Sequence, residues 1–176
     1  MQLLQKNHFE LMALPQAFQI DAVRLDRAYR ALQATVHPDR FVNQPPAERR
    51  WAMQAATLAN EAWRCLRDPV QRAVYLLSLH GVAVDETSRS GFDPDFLMQQ
   101  MEWRERLESL SASEEDDAAL QQLAAEVRGL RDDLVGQLVR LIDIERRHQD
   151  AATTVRQLMF IERFLDSIDS IDDARD

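Results

Sequence analysis

Apolar side chains recur along this chain at the three- and four-residue spacing of amphipathic helices, and no stretch shows the alternation of a half-buried strand. One such stripe passes through Leu25, Tyr29, Leu32 and Val36. Asp21 is a good N-cap for it, so the pattern predicts a helix that ends near Val36. Glycine is scarce, and prolines fall between the periodic stretches. The chain is therefore predicted to be all-α.

Three further helices are predicted in the first half. A long stripe follows a polar loop whose Pro46 suits a first helical turn, and it comprises Trp51, Ala55, Leu58, Ala62 and Leu66. About ten residues join this helix to the one before it, so the two are expected to pack as an antiparallel hairpin. Short helices flank the pair, the first from His8 to Leu14, stopped by Pro15, and the last through Val74 to a C-cap at Gly81.

Helical periodicity is lost from Val82 to Gly91, which predicts a linker, and three long helices follow. The first starts at Asp93-Pro94, and Ser113-Glu114-Glu115-Asp116 resembles a capping box for the second. The last spans about 150–168. The second helix carries a seven-residue apolar repeat, broken only at Gln137, through Leu120, Leu123, Val127, Leu130, Leu134, Leu141 and Ile144. These helices predict an antiparallel three-helix bundle, and the domains are placed at 1–80 and 93–176 with a linker at 81–92.

The charge is divided unevenly between the two halves. Residues 1–80 contain ten Lys and Arg against seven Asp and Glu, whereas residues 81–176 contain eleven against twenty-three. This asymmetry favours two partners with different surfaces, and the acidic half is not expected to bind nucleic acid. No apolar run is long enough to span a membrane and the N-terminus does not resemble a signal peptide, so we expect a cytoplasmic protein.

Candidate metal or thiol chemistry is sparse. The single cysteine, Cys65, excludes an internal disulfide and any metal site built on several thiolates, and its neighbours indicate core packing more than a reactive thiol. His8, His80 and His148 are scattered along the chain and are expected to bind no metal.

The tripeptide His37-Pro38-Asp39 stands at the end of the second helix. Pro38 disfavours helical backbone at His37, so the helix should stop there and the turn should project. Asp39 offers an acceptor to an arginine of a partner, and the His37 ring can hydrogen-bond or stack. Alternatively, these residues merely terminate a helix or form a His-Asp catalytic dyad. No nucleophile, metal-ligand set or glycine-rich phosphate loop accompanies such a dyad.

The helix before this tripeptide has a basic exposed side, formed by Arg24, Arg27 and Arg30, with Asp26 the one acid among them. Such a side is either a solvated helix face or a docking stripe for an acidic partner.

Helical geometry also indicates an apolar patch in the second domain. At about 100° per residue, Leu97, Met98 and Met101 lie roughly 100° to 200° from the stripe that should form the core of their helix. On the last helix Phe160 points about 140° from its core stripe. Exposed methionine and aromatic side chains favour a contact patch, with a possible acidic rim at Glu102, Glu105 and Glu108. A broad core, or packing against the first domain, would equally account for them.

The order of a short helix, a basic helix, His-Pro-Asp, a proline-bearing loop and a long helix resembles the J-domain of co-chaperones. The likeness extends to the HscB family of iron–sulfur cluster assembly over nearly the whole chain. The segments that carry it are Asn7-His8-Phe9-Glu10-Leu11, Leu66-Arg67-Asp68-Pro69-Val70-Gln71-Arg72-Ala73, Tyr75-Leu76-Leu77-Ser78-Leu79-His80-Gly81, Asp95-Phe96-Leu97-Met98, and Val155-Arg156 with Phe160. Arg40, where lysine is usual, and Met101, where leucine is common, depart conservatively from it.

The resemblance implies a co-chaperone that is not an enzyme, needs no cofactor and has two protein partners. A DnaK-like chaperone of the HscA type would bind the N-terminal domain, through the tripeptide with Arg40 and the three helix arginines. An IscU-type scaffold protein would bind the residues matching Leu97, Met98, Met101 and Phe160. A general J-type co-chaperone with other clients, and an enzyme that uses His37 and Asp39 as acid and base, are the alternatives.

Overall fold

A computed structural model describes residues 2–85, 87–88, 91–111 and 117–174. The described part is helical and contains no β-strand, so the all-α prediction is confirmed. The chain divides into two compact units, residues 1–79 and 80–176, with the boundary between Leu79 and His80.

The first unit is a helical hairpin with short flanking helices. Its elements are a 3-10 helix at Gln2–Gln5, α1 (His8–Leu11), α2 (Ala22–Val36), a 3-10 helix at Pro38–Phe41, α3 (Pro46–Arg67) and α4 (Pro69–Leu79). The predicted caps are present: an Asp21 oxygen accepts hydrogen bonds from the backbone of Val23 and Arg24, and Pro46 is the first residue of α3.

The hairpin of α2 and α3 packs closely because α3 presents small side chains to α2. Ala52, Ala55, Ala59 and Ala62 are fully buried along α3. From α2, Leu25 and Val36 are buried, whereas Tyr29 and Leu32 of the predicted stripe are only partly so. The Tyr29 ring stacks on Trp63 of α3 with 5.1 Å between the ring centroids.

The first predicted helix was too long at its carboxyl end. α1 is a single turn, and it ends at Leu11 instead of Leu14. Asn7 and Glu10 form a capping box at its start, and Ala13 has a φ of 50°, which is left-handed and incompatible with a continuing helix. The amide of Leu14 then donates to the carbonyl of Phe9 at 2.9 Å, which holds the chain in this reversal.

The second unit contains the three predicted long helices. They are α5 (Pro94–Ser111), α6 (Asp117–Leu138) with a π-helical continuation at Val139–Ile144, and α7 (His148–Asp173). The predicted capping box at 113–116 lies outside the described residues. On α5, Phe96 and Trp103 are buried as expected, and the Trp103 indole donates to Glu126 of α6 at 2.7 Å.

The seven-residue repeat of the second bundle helix does not hold to its end. Leu138 is fully buried where the repeat assigned the core position to Gln137, and Ile144, also assigned to the core, is 72% exposed. Leu138 follows the buried Leu134 by four residues, an ordinary α-helical spacing, whereas the π-helical segment after it adds one residue to a turn and so rotates later side chains such as Ile144 relative to an α-helix. Placing Ile144 in the core was therefore wrong.

Candidate partner-binding sites

The tripeptide at the end of α2 forms an exposed turn that local hydrogen bonds stabilise. His37 has φ −57° and ψ 127°, so it leaves the helical region as Pro38 requires, and the next residues form the 3-10 helix Pro38–Phe41 instead of an open loop. The backbone amide of Asp39 donates to His37 Nδ1 at 3.4 Å. The two side chains are 55% and 85% exposed, so both imidazole and carboxylate are presented to solvent.

Two neighbours of the turn hold it in place. The Arg40 guanidinium donates to the carbonyl of Ala34, one of the last carbonyls of α2, so this arginine caps the helix from which the turn projects. Phe41 packs edge-on against Trp51 of α3, with 5.8 Å between the ring centroids. The turn is thus attached to both helices of the hairpin.

The three arginines of α2 form an exposed basic stripe that leads to the turn. Arg24, Arg27 and Arg30 are all exposed, and no ion pair joins any of them to another described residue. Asp26, the acid in their midst, accepts a hydrogen bond from the Trp63 indole at 2.8 Å. This carboxylate is therefore directed toward α3, and it forms no ion pair with the arginines of the stripe.

The predicted scaffold-binding residues lie on two helices of the second unit. On α5, Met98 is 57% and Met101 is 63% exposed, while Leu97 is partly buried. Phe160 of α7 is also partly buried: its ring packs edge-on against Phe96 with 6.0 Å between centroids. Phe160 therefore lies beside the first turn of α5, where Leu97 follows Phe96.

The acidic residues of α5 are exposed and accompany the methionines. Glu102, Glu105 and Glu108 take part in no ion pair with other described residues. The exposed face of α5 thus combines polarisable apolar side chains with uncompensated negative charge, which suits a partner with an apolar and basic surface.

The remaining candidates from the sequence take part in packing. His80 stacks on His148 with 4.0 Å between ring centroids, although the sequence separates them by 68 positions. Cys65 is half-buried, and burial raises the pKa of its thiol to about 11. Among the described residues no group of three or more His, Cys, Asp or Glu could hold a metal ion. No described helix is both long and apolar enough to cross a membrane.

Comparisons with known proteins identify the family. Residues 92–169 match the family model described as the HSCB C-terminal oligomerisation domain. The co-chaperone HscB homologue of Burkholderia multivorans is 51% identical over 160 residues, which cover 91% of this chain and 90% of the relative. The homologue of Burkholderia mallei is 50% identical over the same shares.

Solved structures agree with this. Chaperone HscB from Vibrio cholerae superposes with a TM-score of 0.86 at 36% identity, covering 96% of this chain and 99% of that one. Human co-chaperone HscB superposes with a TM-score of 0.86 at 26% identity, covering 94% of this chain and 81% of that one. With an all-helical fold of two units and a His-Pro-Asp turn in the first, the chain belongs to the HscB family of J-type co-chaperones in iron–sulfur cluster assembly.

Proposed function

We propose that this protein binds an IscU-type iron–sulfur scaffold through its C-terminal unit and delivers it to an HscA-type chaperone, whose ATPase activity it stimulates. The observation that carries the proposal is the exposed His37-Pro38-Asp39 turn at the end of an unneutralised basic stripe. A DnaK-like partner with an arginine for Asp39 and acidic side chains for the stripe would fit this surface. ATP is hydrolysed by the chaperone, and this chain contributes no catalytic group.

Binding both partners at once raises their effective concentration for each other. The chaperone site lies in the first unit and the scaffold site in the second, so one chain can bind both partners. The outcome is cluster assembly or transfer in the cytoplasm.

The first test addresses the turn. Purified protein added to the HscA-type chaperone should raise its rate of ATP hydrolysis, most of all when the scaffold is present. Asp39→Asn removes the carboxylate charge and should abolish the stimulation while leaving scaffold affinity unchanged. Asp21→Asn is the matched control, because asparagine is an equally good N-cap, and it should stimulate like the unaltered protein. Equal ATPase rates with and without the chain would refute the proposal.

The second test addresses the patch. Replacing Met98 and Met101 together by serine removes two exposed apolar side chains and should weaken scaffold binding, measured by calorimetry, by about tenfold or more. Ile144→Ser is the control, because Ile144 is another exposed apolar residue of the same unit and lies outside the patch. Equal affinity for patch variant and control would show that the scaffold binds elsewhere.

The general co-chaperone is the second candidate, and client selection separates it from the first. Immobilised protein that captures mixed unfolded chains as well as it captures the scaffold would favour that candidate.

A further inference from the structure

A groove of about 650 Å³ lies in the second unit between α5 and α7. It is distinct from the exposed methionines, which do not line it. Its walls include Gln100, Arg104 and Leu107 from α5, and Phe160, Arg163 and Phe164 from α7. The volume falls within the range of sites that hold a small ligand or the anchoring side chains of a peptide.

Gln100 contributes a buried hydrogen-bond donor to the groove wall. The residue is only 5% exposed, and its Nε2 has no hydrogen-bond partner among the described residues. A buried amide nitrogen without an acceptor is energetically unfavourable, so an oxygen that reached it would form a stabilising hydrogen bond. The missing partner must be an acceptor, because Nε2 can only donate.

Basic side chains outnumber acidic ones among the described residues that line the groove, although the unit as a whole is acidic. Arg104 lies over the face of the Phe160 ring, with 5.6 Å from its Cζ to the ring centroid, and Arg156 lies over Phe92 at 6.0 Å. Arg163 is exposed at the rim and forms no ion pair with another described residue. Against these three arginines, Glu108 is the one carboxylate among the described residues of the lining, and Asp85, outside the lining, interacts electrostatically with Arg156.

The apolar part of the lining consists of aromatic and aliphatic side chains. Phe92, Phe160 and Phe164 stand with Leu107 and Ile171 around the same space. An occupant must therefore bring a bulky apolar side chain for these walls and carboxylate or carbonyl oxygens for Gln100 and the arginines. An acidic protein segment with an aromatic or branched aliphatic anchor meets both requirements.

We propose that the scaffold protein inserts such an acidic segment, with its apolar anchor, into the groove between α5 and α7. This inference rests on the proposed function and adds a second contact to it, of charge opposite to that expected at the acidic face of α5. The two contacts are continuous, since Phe160 belongs to the predicted patch and to the groove wall. Together they would orient the scaffold, because each requires a different surface of it.

Calorimetric titration of the intact IscU-type scaffold tests the groove. Arg163→Glu reverses a charge at the rim of the groove. Gln100→Leu replaces the buried hydrogen-bond donor by an apolar side chain of similar size. Each should weaken binding by about tenfold or more. Arg128→Glu is the matched control, because it makes the same charge change on an exposed arginine of α6 outside the groove, and it should bind like the unaltered protein. Circular dichroism and thermal unfolding verify that each variant folds.

Crosslinking identifies the segment directly. In a Cys65→Ser background, Ser167→Cys places a maleimide-linked benzophenone at the groove, and Ser109→Cys places it on α5 outside the groove. The Ser167 position should crosslink an acidic segment of the scaffold, and the Ser109 position should not.

The outcomes separate the two proposals. If the scaffold binds both groove variants with unchanged affinity, or if the crosslinked segment is basic, the groove inference is wrong. Weakened scaffold binding by the Met98 and Met101 variant would still support the proposed function. A scaffold that fails to bind the unaltered protein would overturn both.

Discussion

Several single residues near the proposed chaperone site have a structural task beside any role in binding. Arg40 is the clearest case, because its guanidinium caps α2 at Ala34 while its charge stands within the exposed turn. Asp26 similarly links α2 to α3, because it accepts a hydrogen bond from the Trp63 indole and forms no ion pair with the surrounding arginines. Substitutions at either position would therefore alter the presentation of the site as well as its charge, which is why Asp39 and the α2 arginines are better tests of binding.

Cys65 is predicted to be a poorly reactive thiol. Desolvation by burial is the main cause of its raised pKa of about 11, with Asp68 adding to it and Arg72 opposing it. Relative to an ordinary thiol pKa of 9.0, this reduces the thiolate fraction near neutral pH by roughly a hundredfold. Modification by a disulfide reagent should therefore be slow in the folded protein at pH 7.5 and fast in denaturant. Equal rates in the two states would contradict this assignment.

The residues that sequence reasoning missed are those whose environment depends on distant neighbours. A glutamine in an amphipathic helix is ordinarily expected to be exposed, and Gln100 is buried only because of how α5 and α7 are arranged. His80 and His148 are likewise unremarkable in the sequence, and the fold stacks them. By contrast, the departure of His37 from helical geometry follows from its bond to Pro38 alone and was predictable.

At the scale of elements, helix starts with local causes were predictable and irregular turns were not. Asp21 and Pro46 act within one turn of their own positions, so the starts of α2 and α3 could be read from the sequence. No characteristic residue marks the π-helical segment in the sequence, because apolar side chains continue through it. The seven-residue repeat was therefore extended too far, and Ile144 was misplaced.

The cap of α2 gives a prediction for this helix. Asp21→Ala removes the acceptor for two backbone amides and should lower the free energy of unfolding of the first unit by about 1 kcal/mol. Urea unfolding followed by the fluorescence of Trp51 and Trp63, which belong to that unit, measures the change. Asp21→Asn should cost far less, and a similar loss for both substitutions would show that the cap is not the cause.

The π-helical segment gives a second prediction about stability. Leu138→Ala should lower the free energy of unfolding by about 2 to 5 kcal/mol, because it empties a fully buried position. Ile144→Ala should change it by less than about 0.5 kcal/mol, because the side chain is exposed. The uninterrupted repeat instead places Ile144 in the core and requires a large loss there, so urea unfolding of the two variants decides between the two arrangements.

At the scale of the whole molecule, the two units differ in the charge they present. The first has an excess of basic residues that reaches the exposed turn, and the second is strongly acidic apart from the groove between α5 and α7. Surface charge of opposite sign allows one chain to attract two partners without their competing for one surface. This division was visible in the sequence, because it requires only counting, whereas the basic groove inside the acidic unit required the fold.

Each unit also holds a histidine that resists protonation, which links stability to pH. The pKa of His8 is lowered mainly by burial, which outweighs the opposite effect of Glu61. The pKa of His148 is lowered by burial and by the neighbouring His80 and Arg146. Below the ordinary histidine pKa of 6.5 the unfolded chain therefore binds protons that the folded chain does not, so stability is fully present above this pH and falls below it.

The free energy of unfolding should accordingly decrease between pH 7.5 and pH 5.5 in both units. Carboxyl groups with lowered pKa, such as Glu126, stay ionised in folded and unfolded chains over this range, so the decrease comes from histidine. Urea unfolding measures it: a Trp103→Phe variant leaves Trp51 and Trp63 to report on the first unit, and a variant with Trp51→Phe and Trp63→Phe leaves Trp103 to report on the second. His148→Gln should flatten the pH dependence seen by Trp103 and leave that of the first unit intact. A slope that persists in both would mean that protons are taken up elsewhere.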